Sequence, residues 1–435
     1  MTPTRSLRRI PCSVLLAAVS LAFAAPVSAS GRGDEGDRGN RERPQWITGW
    51  GTSQNGASAV QLTNATVRMI ARVSIPGDAV RIRLDNTYGA AVTIGSAYVG
   101  PRVQAGDVAA GTNRQVHFAG SPSVTIPAGG SVTSDAVQIQ VLARQDLAVS
   151  LYVPQAKVNA SQHSGAVVSS YYTSNDAGNV AATEARTPFV NTTTSMWWLK
   201  SIDVRSSSSP GAIVAFGDSI TDGTCTTLDA HDRWEDWVSV RLDSTDAPGA
   251  PGSGRFNQRG LKAVVNEGIG GNTVTRTSSP PPDSAPGVER LERDVLSHTG
   301  VTHVVLFMGT NDIRREASAA QVIDGMRNII ERVKARGLTI VGATIIPRHN
   351  RPPAGTNTGW NPAKTAIRNE VNRWIRTEAA FDDVLDFDKV VRDPADPDLI
   401  NPPLNCGDGI HPSPAGYYLM GQSVDLRLFD DSGRH

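Results

Sequence analysis

Two different rhythms of apolar residues divide this chain and restrict what it can fold into. Between Trp46 and about Asp203 the apolar period is two: Val67, Met69, Ala71 and Val73 stand against Arg68, Arg72 and Ser74, and Val80, Ile82 and Leu84 against Arg81 and Arg83. Similar runs follow at 124–126, 137–141 and 147–153, separated by Pro-Gly, Asn-Thr-Tyr-Gly and Pro-Ala-Gly-Gly turns. Short alternating strands between such turns predict an all-β sandwich. The polar run 206–210 ends that pattern. Beyond it, apolar runs at 212–216, 263–266, 301–308 and 339–346, with a weaker one at 384–387, read as strands. Helical patterns lie between them: Val322, Met326, Ile329, Ile330 and Val333 fall on one face, as do Ile367, Val371, Trp374 and Ile375. Strand alternating with helix predicts an α/β unit with a parallel, doubly wound sheet. Residues 417–428 would form its closing helix.

Ahead of both patterns, residues 1–29 read as a secretory signal peptide. Arg5, Arg8 and Arg9 precede an apolar run over 10–25, and Val27-Ser28-Ala29 offers a small-residue cleavage site. The expected location is therefore outside the cytoplasm, secreted or periplasmic. The apolar run is too short and interrupted for a membrane anchor, and no later stretch approaches the roughly 20 apolar residues that a span needs. Residues 30–45 carry Gly, Arg, Asp, Glu and Asn and read as a disordered tether. This predicts an accessory β domain at 46–205 and an α/β domain at 211–429. Lys plus Arg and Asp plus Glu are both 42, which argues against nucleic acid or an anionic membrane as the main partner. A monomer is expected. Cys12 would leave with the leader, and the remaining pair, Cys225 and Cys406, would bridge in an oxidising compartment more readily than bind metal.

The ends of the α/β strands carry the chemistry. The first run stops at Gly217-Asp218-Ser219, so Ser219 sits just past a strand's C-terminal end, where ligands bind in open α/β sheets. Gly, Asp and Ser are also ordinary turn residues, so this stretch alone does not decide between catalysis and a plain turn. After the second strand comes Asn266-Glu-Gly-Ile-Gly-Gly-Asn-Thr273, and after the third Met308-Gly-Thr-Asn-Asp312. Before the last helix stands Cys406-Gly-Asp-Gly-Ile-His-Pro412. All four fall at one edge of the sheet. Acyl transfer needs a nucleophile, a base, a group that orients the base, and donors for the oxyanion. Asp408 and His411, three apart, can bond within one loop and serve Ser219. Gly271 can offer an unobstructed N–H and Asn311 an amide N–H, which with the N–H of Ser219 make a three-donor oxyanion hole.

These four stretches resemble the sequence blocks of the SGNH (GDSL) hydrolase superfamily. The blocks place the nucleophile at Ser219, oxyanion donors at Gly271 and Asn311, and acid and base at Asp408 and His411. The resemblance covers residues 211–429 and implies a three-layer α/β/α flavodoxin-like fold and hydrolysis of esters without a cofactor. The whole chain is similar to secreted two-domain members described as lysophospholipase-like, arylesterase-like or acetylxylan-esterase-like. If the triad assembles, the loops carrying Cys225 and Cys406 meet at the same edge, and a disulfide between them is expected.

No His-Glu-x-x-His run is present, and Asp218, Asp222 and Asp312 are expected to fix turns rather than hold a metal. His231 and His349 lie on loops at the catalytic edge, as substrate contacts or solvated residues. Trp360 is the one aromatic in the rim loops 224–232, 278–287 and 348–361. A long acyl chain needs a continuous apolar groove, which these polar loops do not offer. The expected substrate is a short acyl ester, such as acetyl, on a carbohydrate or phenolic alcohol, either small or polymeric. Two alternatives stay open: a lysophospholipase or thioesterase, and a carbohydrate-binding protein with an incidental hydrolase domain. For the latter, the Arg side chains of the β region with Trp46, Trp50, Trp197 and Trp198 would line a sugar-binding face, unless the tryptophans are packing residues.

Overall fold

Every residue of the strand Ala212–Gly217 is buried, and it pairs in parallel on both sides, with Ala263–Gly268 and with Val301–Phe307. In this computed structural model, which describes residues 44–246, 261–276, 279–280, 284–355 and 358–430, that strand lies within a five-stranded parallel sheet. Numbered along the chain, the strand order is 2-1-3-4-5, with Thr339–Ala343 and Asp383–Leu385 completing the sheet. The order reverses between the first and third strands. In open α/β sheets ligands bind outside the carboxyl ends at such a reversal, and the segments that follow those two strands contain Ser219 and Asn311.

Local chemistry explains the bounds of these elements. The helix Ala319–Lys334 begins at a reciprocal cap between Ser318 and Gln321 and buries Val322, Met326, Ile329, Ile330 and Val333. The helix Pro362–Thr377 begins at Asn361, with proline in its first turn, and buries Val371, Trp374 and Ile375. The fourth strand ends at Ala343, earlier than its apolar run, because the side chain of Asn372 takes both the N–H and the C=O of Ile345 at 2.8 Å each. The closing helix also differs from expectation. It runs Pro414–Ser423 with Ser413 as its cap, and a separate turn Leu426–Phe429 follows because Val424 is extended and Asp425 accepts the N–H of Arg427.

The N-terminal region is mostly β and antiparallel. One sheet joins Gln45–Gly51, Leu199–Ser206, Gly77–Asp85 and Val137–Val141; another centres on the pair Ala65–Val73 and Gln145–Val153. Val67, Met69, Val73, Val80, Ile82 and Leu84 are fully buried between them. The other face departs from the alternating pattern. Arg68, expected at the surface, is fully buried, with its guanidinium 4.1 Å from the Phe189 ring and bonded to Ser150 Oγ and the carbonyl of Gly106. Loops folded over the strand supply the acceptors that let a cation lie there. Trp197 and Trp198 are buried too, so they form no open sugar platform.

The described residues belong to one compact unit, and a single apolar cluster runs from Ile47 through the parallel sheet to Phe429. The strand Ala263–Gly268 would be a bare sheet edge, and the β region covers it: Ser74 Oγ bonds both N–H and C=O of Val264. Arg81 and Arg83 likewise point at Thr299 and Ser297 of the α/β part. Deeper in the contact, Lys200 Nζ stands 2.8 Å from Glu267 and 2.9 Å from Asp294, all essentially without solvent exposure. The leader, and the tether apart from its last two residues, lie outside the described residues.

Candidate active site

The turn after the first strand is built by its own side chains. Asp218 caps the short helix Ser219–Asp222 by accepting the N–H of Ile220, and Gly223 closes it in a left-handed conformation. Burial raises the Asp218 carboxyl to about 6. This turn leans directly on the second strand: a Cβ on Gly268 would stand 2.2 Å from the backbone N of Asp222. Glycine is required there by contact alone.

Opposite it, the loop 405–412 is folded around two side chains. Asn405 accepts the N–H groups of Gly407 and Gly409 and donates to the carbonyl of His411. Asp408 Oδ1 accepts the N–H groups of Ile410 and His411, and its Oδ2 takes the ring Nδ1–H of His411 at 2.6 Å. Burial works against the Asp408 charge, but the ring and backbone bonds from His411 outweigh it and hold the carboxyl near 2. With Nδ1 committed to Asp408, Nε2 carries the lone pair. It faces Ser219 Oγ at 2.8 Å, so the hydroxyl donates to it. Tyr417 donates its phenol to the carbonyl of Thr224, and Cys225 and Cys406 form a disulfide. The disulfide joins the segment after the serine turn to the histidine loop, and the Tyr417 bond joins it to the helix Pro414–Ser423 that follows that loop.

The oxyanion candidates lie on two loops that are bonded to each other and to the short helix that begins at Ser219. In the segment 268–272 four N–H groups are engaged: Gly268 with Asn266, Ile269 with Gly217, Gly270 with Asp222, and Asn272 with Ile269. The N–H of Gly271 has no partner among the described residues, and its φ of 72° suits glycine. A Cβ there would meet nothing within 4 Å, so the residue borders open space. Asn311 Nδ2 donates one hydrogen to the carbonyl of Asn272 at 3.0 Å and keeps the other. Arg348, at 3.4 Å from Asn311 Oδ1, fixes which way that amide points. Asp312 accepts the N–H groups of Val274 and Thr275 and joins the two loops; burial pushes its carboxyl up to about 7.

Other expected contacts are placed differently. Trp360 is buried, its ring N–H on Thr365 and its face beside Arg348. His349 is buried too, with Nδ1 near the carbonyl of Arg351. His231 turns toward the β region, 3.8 Å from Asp146. Cys225, Asp408 and His411 have potential ligand atoms within 4.8 Å of one another, yet the sulfur is in the disulfide and the other two bond each other, so the group is not a free metal site. Arg348, Asn272, Asn405 and Tyr417 were not singled out from the sequence; only their proximity to named motifs hinted at them.

The arrangement sets a hydroxyl against an oriented imidazole, with spare N–H donors on loops bonded to the serine turn and to each other. The sequence model of the GDSL-like Lipase/Acylhydrolase family matches residues 215–419. This part of the chain is a GDSL-like lipase/acylhydrolase domain. The protein is accordingly a hydrolase acting on esters. The chain is also similar to solved structures of GDSL proteins. A carbohydrate acetylesterase family member from Sinorhizobium meliloti is 18% identical over 50% of this chain and 97% of its own, with a TM-score of 0.38. A member of the lipolytic G-D-S-L family from Veillonella parvula is 18% identical over 51% and 98%, with a TM-score of 0.32. A GDSL-like lipase from Bacteroides thetaiotaomicron is 18% identical over 50% and 87%, also with a TM-score of 0.32. No curated protein sequence matches the chain. Among the described residues, no helix is long and apolar enough to cross a membrane.

Proposed function

We propose that this GDSL protein is an exported, monomeric serine esterase that hydrolyses short acyl esters, such as acetyl, on a carbohydrate or phenolic alcohol. Its architecture is read as a three-layer α/β/α flavodoxin-like catalytic domain at 211–429 behind a β-sandwich domain at 46–205. The observation that carries the mechanism is the continuous line from Asp408 through His411 to Ser219, with contacts of 2.6 and 2.8 Å.

In this reading Ser219 Oγ attacks the ester carbonyl while His411 Nε2 takes its proton. Asp408 holds the ring in the tautomer that leaves Nε2 free and offsets the imidazolium charge. The developing oxyanion is met by the N–H groups of Ser219 and Gly271 and the spare hydrogen of Asn311 Nδ2. His411 then protonates the leaving alcohol, and water, activated by the same nitrogen, releases the acid from the acyl-enzyme. The short acyl preference is supported by the polar sequence of the rim loops and by the burial of Trp360, the one aromatic among them. The leader sequence and the disulfide support export.

Replacing Ser219 with alanine tests the reading. Purified Ser219→Ala should lose p-nitrophenyl acetate hydrolysis by several orders of magnitude while keeping the parental melting temperature, since oxyanion donors alone retain only a small residue of the rate. Parental turnover in that variant would reject the nucleophile assignment.

A further inference from the structure

The β region sends two side chains, from His163 and Ser53, to residues that brace the loop 268–272 from behind. His163, from the strand Val158–His163, is 2% exposed and reaches the nucleophile turn. Its Nδ1 lies 2.7 Å from the carbonyl oxygen of Ser53, and its Nε2 lies 2.9 Å from Asp222 Oδ1. A carbonyl oxygen only accepts, so Nδ1 carries a proton. A carboxylate also accepts, so Nε2 carries one as well. The ring is an imidazolium held at both ends. The second oxygen of Asp222 accepts the N–H of Gly270 at 2.8 Å, one residue before the free N–H of Gly271. Ser53 meanwhile donates to Glu267 at 2.5 Å and accepts from Arg290, which also holds Asn272 Oδ1 and the carbonyl of Gly217. The loop 268–272 is therefore gripped on its inner side by groups that depend on the β region.

We propose that His163 is a positioning residue for ester hydrolysis: by holding Asp222 against Gly270 it sets the direction of the Gly271 N–H toward the developing oxyanion. This rests on the oxyanion assignment made above for Gly271. The β region is, on this view, part of the catalytic scaffold rather than an appended module. A buried ion pair adds little to stability compared with apolar packing, so its place beneath the oxyanion loop calls for a directional role. Oxyanion donors act through preorganised geometry, and misplacement of about 1 Å can cost about 100-fold in rate.

Burial disfavours the His163 charge, but Asp222 outweighs it and raises the ring above its ordinary value. The charged groups around it are Asp222 and Arg233 from the segment after the nucleophile, and Glu235 and Asp236 from the helix Trp234–Asp246. Arg72 and Arg144 of the β region and the loop residue His231 line the small cavity beside it. The ring holds its second proton up to its raised value and loses it above. At that point one of the two anchoring bonds fails.

The test measures kcat, KM and their pH dependence on p-nitrophenyl acetate for the full mature chain and for His163→Ala, His163→Gln, Asp222→Asn and Ser219→Ala. His163→Ala is expected to lose about 10- to 100-fold in kcat with KM within about twofold. His163→Gln, whose amide still donates to Asp222, is expected to recover most of that loss. It should also lack the alkaline decline in kcat that the parent shows as His163 deprotonates. Asp222→Asn combined with His163→Ala should be no slower than the slower single variant, because both break one chain of contacts. If His163→Ala does not fold, the glutamine variant decides: an alkaline limb identical to the parent's overturns the proposal. So does parental kcat in His163→Ala. A dead Ser219→Ala beside a fully active His163→Ala would reject the positioning role alone, whereas an active Ser219→Ala would reject the underlying mechanism.

Discussion

Cys225 and Cys406 are joined by a disulfide across 181 residues of sequence, with Cα atoms 6.3 Å apart, and the loops they join carry Ser219 and His411. Cys225 follows Ser219 by six residues, and Cys406 precedes Asp408 by two. The bridge therefore tethers the two ends of the Asp408–His411–Ser219 line to each other. In the chain-entropy account, closing a loop of this length restricts the unfolded chain by about 5 kcal/mol as an upper figure. Thiol titration of the denatured, unreduced mature protein is expected to find no free thiol. Reduction should lower activity at temperatures where the rest of the fold persists, as read by circular dichroism. Two free thiols per chain would contradict the bridge.

Asp408 gives a prediction in which rate and stability separate. Asp408→Asn should lower kcat by about 10⁴, because the amide no longer fixes the productive tautomer of His411. Its carboxyl is depressed in the folded state, from 3.8 to about 2. The stabilisation is therefore present above the unfolded value and lost as pH falls from about 4 through about 2. Since the group is half exposed, solvent screening limits it to on the order of 1 kcal/mol. Melting curves of parent and variant should differ at pH 7 and converge as the pH drops through that window; a constant difference would argue against a charge-based contribution.

Asn311 is held at both ends of its amide, by Asn272 and by Arg348. Asn311→Ala is expected to lower kcat by about 10²–10³ with KM nearly unchanged, since the lost donor acts on charge that exists only in the transition state. A rise in KM at constant kcat would instead make Asn311 a ground-state contact.

The acyl pocket can be measured with a ladder of p-nitrophenyl esters from acetate to palmitate. kcat/KM should fall with chain length, because each methylene adds at most a few kcal/mol where an apolar wall exists and nothing where it does not. A rising series would favour the lysophospholipase reading over the short-acyl one. Acetylated xylan run alongside tests whether the polymer itself is a substrate.

The line from Asp408 through His411 to Ser219 was legible because each part of it is a local motif. Gly217-Asp218-Ser219 ends a buried strand, and Asp408 and His411 bond within one turn, so both could be read from a few adjacent residues. The sheet was legible for a similar reason: strands buried on both faces are continuous apolar runs, and the helices between them show one apolar face. The bounds were less so. The fourth strand stops early because Asn372, from a helix later in the chain, takes the backbone of Ile345.

Sequence by itself determined the turn at Ser219, the loop that pairs Asp408 with His411 and the alternation of strand and helix, all of which depend on contacts a few residues apart. Tertiary structure alone decided what the polar residues of the β region do. Arg68 reads as part of the solvent face of a half-buried sheet, because an alternating pattern cannot tell water from a second layer of protein, and the pattern assigns no role to Lys200, His163 or Ser53. They are buried, and their partners stand far along the chain: Asp222 lies 59 residues from His163, and Glu267 lies 214 from Ser53. A charge or hydroxyl is stable away from water only when such partners arrive, and their arrival is a property of the folded chain.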